Sequence, residues 1–512
     1  MATTLIRGRN IVCKVTDRTS AEIINDGAVV QRDGLIVASG SYKAMRERFP
    51  EVQEYGGPNY VVLPGFVNSH HHVGLTPLQL GSPDYALELW FASRLSARRA
   101  DIYLDTLYSA FEMLESGITT VQHLHGWIPG GLEHVEHAAQ EVLRAYKDIG
   151  MRVSYSFAVR DQNRLVYEPD ADFVQRLPEP LRKPMTEHFD AVTLSLDEQL
   201  ELFTRLHRDH RDQSRQRIQL APANLHWCSD EALDALAEYS SEYGVPMHMH
   251  LLETAYQKEY ARRRTGKTAV AHLYDRGLLG PQLTLGHGVW LSEADIEMVA
   301  GSGTHICHNC SSNLRLRSGV APLNEYERLG VKVGIGLDEA GINDDRDMLQ
   351  EMRLVLRMHR VPGMDDSVPT CPQVLKMATE HGASTTPYGT QVGTLEVGKA
   401  ADMVLIDWRK VSFPYLDEDI SMLDGLIQRA KTDAVDLVMV EGEIVLENGR
   451  FTRLDKEGIL NELASSLDRP DTPEETRRRA FSKQLFPHVK SFYDGYLDGQ
   501  VREPYYHSSS RS

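Results

Sequence analysis

The sequence predicts a (β/α)₈ barrel joined to a small β domain, and three observations carry that prediction. Strand-like apolar runs alternate with helical stretches through the middle of the chain. β-rich segments stand at both ends. Polar, histidine-rich residues gather at the C-terminal ends of the middle runs, the face on which such barrels place their active sites.

Taken in order, residues 1–62 read as short strands, "LIRGRNIVCKV" and "GAVVQRDGLIVASG", with Asp33-Gly34 as a hairpin-turn signal. Residues 63–391 hold the barrel. Its first strand is Val61–His70, and the next seven are "GITTVQHL", "MRVSYSF", "RIQLAPA", "VPMHMHLL", "QLTLGH", "THICH" and "VKVGIGLD". Between them lie helical stretches such as "DIYLDTLYSAFEMLES", "SDEALDALAEYSSEYG" and "SEADIEMVAGSG". The stretch Arg160–Leu194, rich in Pro and charge, reads as a long loop over the barrel mouth. Residues 392–452 return to strand-like sequence in "ADMVLIDW" and "DLVMVEGEIVLENG", so one β-sandwich domain is expected from the two ends. Residues 453–512 form a charged, helix-prone tail, expected to pack on a neighbouring surface or subunit.

Composition narrows the function classes. Apolar residues at 41% and charged residues at 25% fit a globular enzyme. A formal charge of −18 argues against a nucleic-acid or anionic-membrane surface, which needs a basic footprint. No run of apolar residues is long enough for a transmembrane helix, and "MATTLIRGRN" has no signal-peptide core. The five cysteines, Cys13, Cys228, Cys307, Cys310 and Cys371, are odd in number and scattered, which suits a reducing compartment. The expectation is a cytoplasmic enzyme with a small-molecule substrate.

The chemistry begins in "PGFVNSHHHVG". Strand side chains alternate faces, so His70 and His72 point one way and His71 the other. "PMHMHLLET" repeats the pattern with His248 and His250, and Glu253 follows three residues later. "LTLGHGVW" ends in His287, and "VGIGLDEAG" places Asp338 at a strand end. His70, His72, His250 and Asp338 together suit Zn²⁺, with Fe²⁺ or Mn²⁺ as alternatives, and a position left open for water. Such an ion lowers the pKa of its water and so creates a hydroxide nucleophile. Glu253 is placed to shuttle a proton, and His287 to polarise the substrate or the attacking water. Each residue alone has a plainer reading, Asp338 as a turn residue and His287 as a core histidine. Four strand ends delivering the right residue types together do not.

"PGFVNSHHH", "HMHLLET", "LGHGVWLSEADI", "HNCSSNLRLRSGVAPL" and "GIGLDEAGINDDRDML" resemble successive motifs of the amidohydrolase superfamily, in the branch of cytosine deaminase, guanine deaminase and the s-triazine hydrolases. "GTLEVGKAADMVLID" resembles that branch's return into its β-sandwich. The resemblance runs from about Leu5 to Phe451. It implies a distorted TIM barrel and a mononuclear centre, with His70, His72, His250 and Asp338 as ligands and Glu253 and His287 as the proton-shuttle and β6 histidine. Binuclear members bridge their metals with an inner-strand lysine, and no lysine occurs between Lys183 and Lys258, so one divalent metal per chain is expected. Members of the superfamily are commonly oligomeric, which implies a homo-oligomer.

Three departures bear on substrate. Leu80-Gly81 stands where many members have Arg-Gly, Ala223 in "APANLHW" where many have His, and Leu337-Asp338-Glu339 where many have Thr-Asp-Gly. Candidate substrate contacts are Trp90, Gln122, His125, Trp127, Asn224, His226 and Asn313. "GTLEVGKA" nearly spells a phosphate-binding loop, but Ala400 occupies the Ser/Thr position, and "CHNC" has no second cysteine pair to complete a zinc site. The reading is a metal-dependent aminohydrolase whose metal-bound hydroxide attacks a planar carbon of an N-heteroaromatic compound and releases ammonia or an amine. Cleavage of an amide, urea or carbamate C–N bond, dehalogenation by the same site, and a non-catalytic scaffold are the alternatives.

Overall fold

A computed structural model describes residues 3–72, 74–126, 128–361, 363–364 and 369–499. The N-terminal strands are β1 (Thr4–Val15), β2 (Ala21–Arg32), β3 (Leu35–Ser41) and β4 (Gln53–Pro64). The central strands are β5 (Phe66–His71), β6 (Ile118–His125), β7 (Arg152–Val159), β8 (Gln216–Ile218), β9 (Ala221–Pro222), β10 (Met247–Leu251), β11 (Leu283–His287), β12 (His305–His308) and β13 (Val333–Ile335). The chain returns through β14 (Met403–Asp407), β15 (Val435–Val440), β16 (Glu443–Glu447) and β17 (Arg450–Phe451).

The two chain ends build one sheet, ordered β17-β16-β15-β14-β4-β1-β2-β3. Its link is the antiparallel pairing of β14 with β4, from Met403 opposite Pro64 to Asp407 opposite Tyr60. The sheet curls into a sandwich, because Val29 of β2 and Met439 of β15 share a core with Ile6 and Leu405 although several strands separate them. The Asp33-Gly34 turn behaves as its sequence predicts: both residues have positive φ, 53° and 87°, as the tightest hairpins require.

The central strands run parallel in two ladders, β5-β6-β7-β8 and β10-β11-β12-β13. Bridges Leu220–Met247 and Asn224–His250 join one seam, and His71–Asp338 the other. Every residue of β5 is buried, as expected for a parallel strand covered on both faces. The fourth strand is broken into β8 and β9, and Pro222, which has no N–H to give a ladder, ends the second piece. The β5–β13 seam decides the site. The Asp338 N–H donates to the His70 carbonyl at 2.8 Å, locking the two strand ends together. Gly336 permits that approach, since a Cβ there would lie 2.5 Å from the His70 Cβ.

Arg160–Leu194 is not an irregular loop. It holds helices Asp170–Arg176 and Glu179–Val192. Pro169 and Pro178 stand at the N-cap positions, where a proline starts a helix rather than breaking one. Phe173, Leu181, Met185 and Phe189 are the buried faces. The tail forms helices Lys456–Leu467 and Pro473–Phe492 and packs on the barrel of its own chain. The Ser482 hydroxyl donates to the Ala92 carbonyl at 2.8 Å, which fixes the second tail helix against helix Leu87–Arg94 at the barrel mouth. Among the described residues no helix is long and apolar enough to cross a membrane. All five cysteines are buried and unbridged.

Candidate active site

Strand alternation works at β5 as the sequence predicts. His71 turns away from the barrel mouth, with its Nε2 3.1 Å from the Ser109 hydroxyl. His70 and His72 turn the other way, and their Nε2 atoms are 3.0 Å apart. The His250 Nε2 of β10 lies 3.1 Å from that of His72.

The opposite nitrogens of these rings decide what sits between them. The His72 Nδ1 faces the Leu124 carbonyl in a short contact, and the His250 Nδ1 faces the Ala223 carbonyl at 2.8 Å. A carbonyl only accepts, so both Nδ1 atoms carry a proton, and each ring in its neutral form presents an Nε2 lone pair. Two lone pairs at 3.1 Å repel unless a positive charge stands between them. The His70 Nδ1 is held in turn by the His248 Nε2 at 2.8 Å.

Asp338 brings the compensating charge. Its Oδ1 is 3.1 Å from the His72 Nε2 and 3.6 Å from the His70 Nε2. Burial alone pushes its carboxyl up, but the hydrogen bond and charge of His72, the charge of His287 and the Ser312 hydroxyl hold it well below the usual carboxylate range. His72 shifts the opposite way: burial lowers it, and Asp338 more than restores it. His70 stays far below the ordinary histidine value, through burial and then the neighbouring imidazoles. One proton on the His72 Nε2 cannot serve Asp338, His70 and His250 together, whereas one cation can. Donors about 2.1 Å from a shared ion, at angles of about 90–110°, stand about 3.0–3.4 Å apart. The His70–His72, His72–His250 and His72–Asp338 separations of 3.0, 3.1 and 3.1 Å fall in that range, and the His70–Asp338 separation of 3.6 Å is slightly longer. The residues present therefore fit a single divalent ion, with each ring's far nitrogen fixed as metal-binding histidines require.

Glu253 and His287 flank this cluster. Glu253 is buried, 3% exposed, which excludes a solvated surface carboxylate. Its Oε1 accepts from the Ser318 hydroxyl at 3.1 Å, and its Oε2 lies 3.5 Å from the His287 Nε2. Burial first, then the Asp338 and Glu88 charges, push its carboxyl well above the usual range. The His287 Nδ1 meets the Asn313 Oδ1 at 2.9 Å, leaving Nε2 turned towards Glu253 and towards the Asp338 Oδ2 at 3.7 Å. His287 and Asp338 have φ of 71° and 55°. Non-glycine residues held in this region cost about 1–3 kcal/mol each, and such strain gathers at functional sites.

A cavity opens from the cluster. His72, His250, Glu253, His287 and Asp338 line it together with Trp90 and Asn224, two of the candidate substrate contacts. His125 lines an adjoining cavity that shares Gly126 and Arg160 with the first. Asn313 acts behind His287. Gln122 donates to the Ser156 hydroxyl at 3.2 Å, and His226 packs at a tilt with its ring centroid 4.1 Å from that of Trp227, and neither lines the cavity. Trp127 lies outside the described residues. Sequence reasoning missed Arg94, Arg160, Trp227, Leu316 and Glu339 in the wall. Of these only Glu339 carried a signal, as a departure next to a predicted ligand. The backbone carbonyls of Leu124 and Ala223 carried none, because any residue supplies them.

The amidohydrolase family model matches residues 61–445. A 5-methylthioadenosine/S-adenosylhomocysteine deaminase of Pyrococcus furiosus is 29% identical over 454 residues, covering 87% of this chain and 98% of its own. An adenosine deaminase from Xanthomonas campestris, solved with bound zinc, superposes with a TM-score of 0.77 at 24% identity, over 93% of this chain and 98% of its own. The atrazine chlorohydrolase from Arthrobacter aurescens, complexed with zinc, gives 0.78 at 23% identity over 90% and 99%. These last two likenesses speak to the fold. The family match spans most of the barrel and the return to the sheet, and with it the chain belongs to the amidohydrolase family, as a hydrolase of carbon–nitrogen bonds other than peptides.

Proposed function

We propose that the protein is a deaminase of purine nucleosides or closely related amino-substituted N-heteroaromatics, with one Zn²⁺ held by His70, His72, His250 and Asp338. The convergence of imidazole lone pairs on one point beside the Asp338 carboxylate supports the metal centre. The name borne by the Pyrococcus relative supports the substrate class. A bound divalent ion supplies Lewis acidity and acidifies water at the reacting carbon.

The chain's own residues do the rest. Asp338 takes the proton of the attacking water. Glu253, kept protonated by its burial, gives its proton to a ring nitrogen from Oε2, and His287, whose Nδ1–H is donated to the Asn313 Oδ1, accepts from and polarises the attacking water through its Nε2 lone pair. The leaving nitrogen then takes the proton that Asp338 removed from the water, and ammonia departs as the hydroxyl carbon closes to a carbonyl and its hydroxyl proton returns to Glu253. Trp90, Phe91, Trp227 and Leu316 give the ring apolar walls and exclude water.

The test is ammonia release from 5′-methylthioadenosine, S-adenosylhomocysteine, adenosine, guanine and the chlorotriazine atrazine. Turnover of an adenine nucleoside supports the proposal. Chloride release from atrazine without ammonia from any purine would contradict it.

A further inference from the structure

Glu339 follows the predicted ligand Asp338 directly and lines the same cavity. Its main chain is fixed, because the buried guanidinium of Arg346 donates to the Glu339 carbonyl at 2.8 Å. Its side chain is fixed on one side only. Oε1 accepts from the Arg94 Nη1 at 2.5 Å, across the cavity mouth from helix Leu87–Arg94. Oε2 is buried and has no hydrogen-bond partner among the described residues. The Glu339 charge also reaches Glu253, where it helps to raise that carboxyl.

A carboxylate oxygen left bare in this way costs free energy that any donor placed against it recovers. Resting on the deaminase reading above, we propose that Glu339 is a specificity-determining residue of this pocket, whose Oε2 selects substrates that present an N–H or O–H donor to that wall. Arg94 orients the carboxylate and satisfies Oε1, so the second oxygen is the one kept for substrate. The substrate class narrows accordingly, to amino-substituted heterocycles with a further donor besides the amine that leaves. That donor is either a second ring amine or a sugar hydroxyl.

Sites built to pair a substrate donor discriminate strongly against analogues lacking it, since the analogue leaves the buried acceptor bare. Hydrogen bonds to a charged group correspond to about 10–100-fold in an equilibrium. Matched substrate pairs give the test: 2,6-diaminopurine riboside against adenosine for the amine, and adenosine against 2′,3′-dideoxyadenosine for the hydroxyls. The wild type, Glu339→Gln and Glu339→Ala are compared by kcat/KM, with melting temperature and metal content recorded for each. In Glu339→Gln the amide oxygen keeps the Arg94 contact while an NH₂ replaces the bare acceptor. The wild type is expected to favour the donor-bearing member of one pair by at least about 10-fold, and both variants to lose that preference with metal retained. Which pair responds identifies the donor. Ammonia release with ratios that do not change in either variant overturns the role of Glu339 alone. No ammonia from any of these compounds overturns the deaminase reading, and this inference with it.

Discussion

Replacing Glu253 by Gln separates a hydrolytic centre from a structural one. The two side chains have nearly the same shape, and the Ser318 hydroxyl, 3.1 Å from Oε1, finds an acceptor in either. The substitution removes a buried ionisable group without opening a cavity, so the fold loses nothing and the melting temperature holds or rises. The predicted Nε2 and Oδ donors to the ion are untouched. What disappears is a proton donor within reach of the cluster, 3.5 Å from the His287 Nε2. General acid–base groups contribute about 10²–10⁴-fold. The low end of that range corresponds to about 2.7 kcal/mol in the barrier. Turnover, metal content and melting temperature are read on one purified Glu253→Gln sample. A kcat lowered at least about 10²-fold, with metal and melting temperature kept, is expected. Turnover near that of the wild type would refute the proton-transfer role, and lost metal would make Glu253 a ligand.

Two further predictions follow from groups outside the cluster. His71→Ala is expected to keep its metal, because His71 points at Ser109 and away from His70 and His72, while losing about 1–3 kcal/mol of stability from a buried hydrogen bond and ring contact; metal loss on dialysis would show that the strand register differs. Glu351 is buried under the Ser311 N–H and hydroxyl, and burial pushes its carboxyl from the ordinary 4.5 to about 7. Between those values the folded chain keeps a proton that the unfolded chain has lost. Its contribution is therefore complete below pH 4.5 and is lost as pH rises through 7, by about 3 kcal/mol at most. Glu351→Gln should flatten the fall in urea midpoint between pH 5 and pH 8, and a slope equal to that of the wild type would contradict this.

The sequence exposes what repeats or alternates. Period-two patterning placed His70 and His72 on one face, and the strand–helix rhythm gave the barrel, because burial forces both patterns on the chain. It does not expose contacts made by the backbone. The carbonyls that set the tautomers of His72 and His250 leave no trace in residue types. Nor does it expose packing between distant segments. The wall residues Arg94 and Arg160 come from a mouth helix and a strand end, and nothing in either segment marks it as facing the other. Pro169 and Pro178 look like breakers in sequence and stand at helix starts in space, while Pro184 is accommodated inside the second of those helices.

The central claim is that three imidazole Nε2 atoms and one carboxylate hold a single catalytic ion. Anomalous diffraction recorded on either side of the zinc absorption edge, from crystals grown with zinc, tests it most directly. The account predicts one strong peak per chain, enclosed by the Nε2 atoms of His70, His72 and His250 and by Asp338, with Glu253 beside it and outside bonding distance. Two peaks in the cavity, or an empty cluster with the ion bound elsewhere, would contradict it.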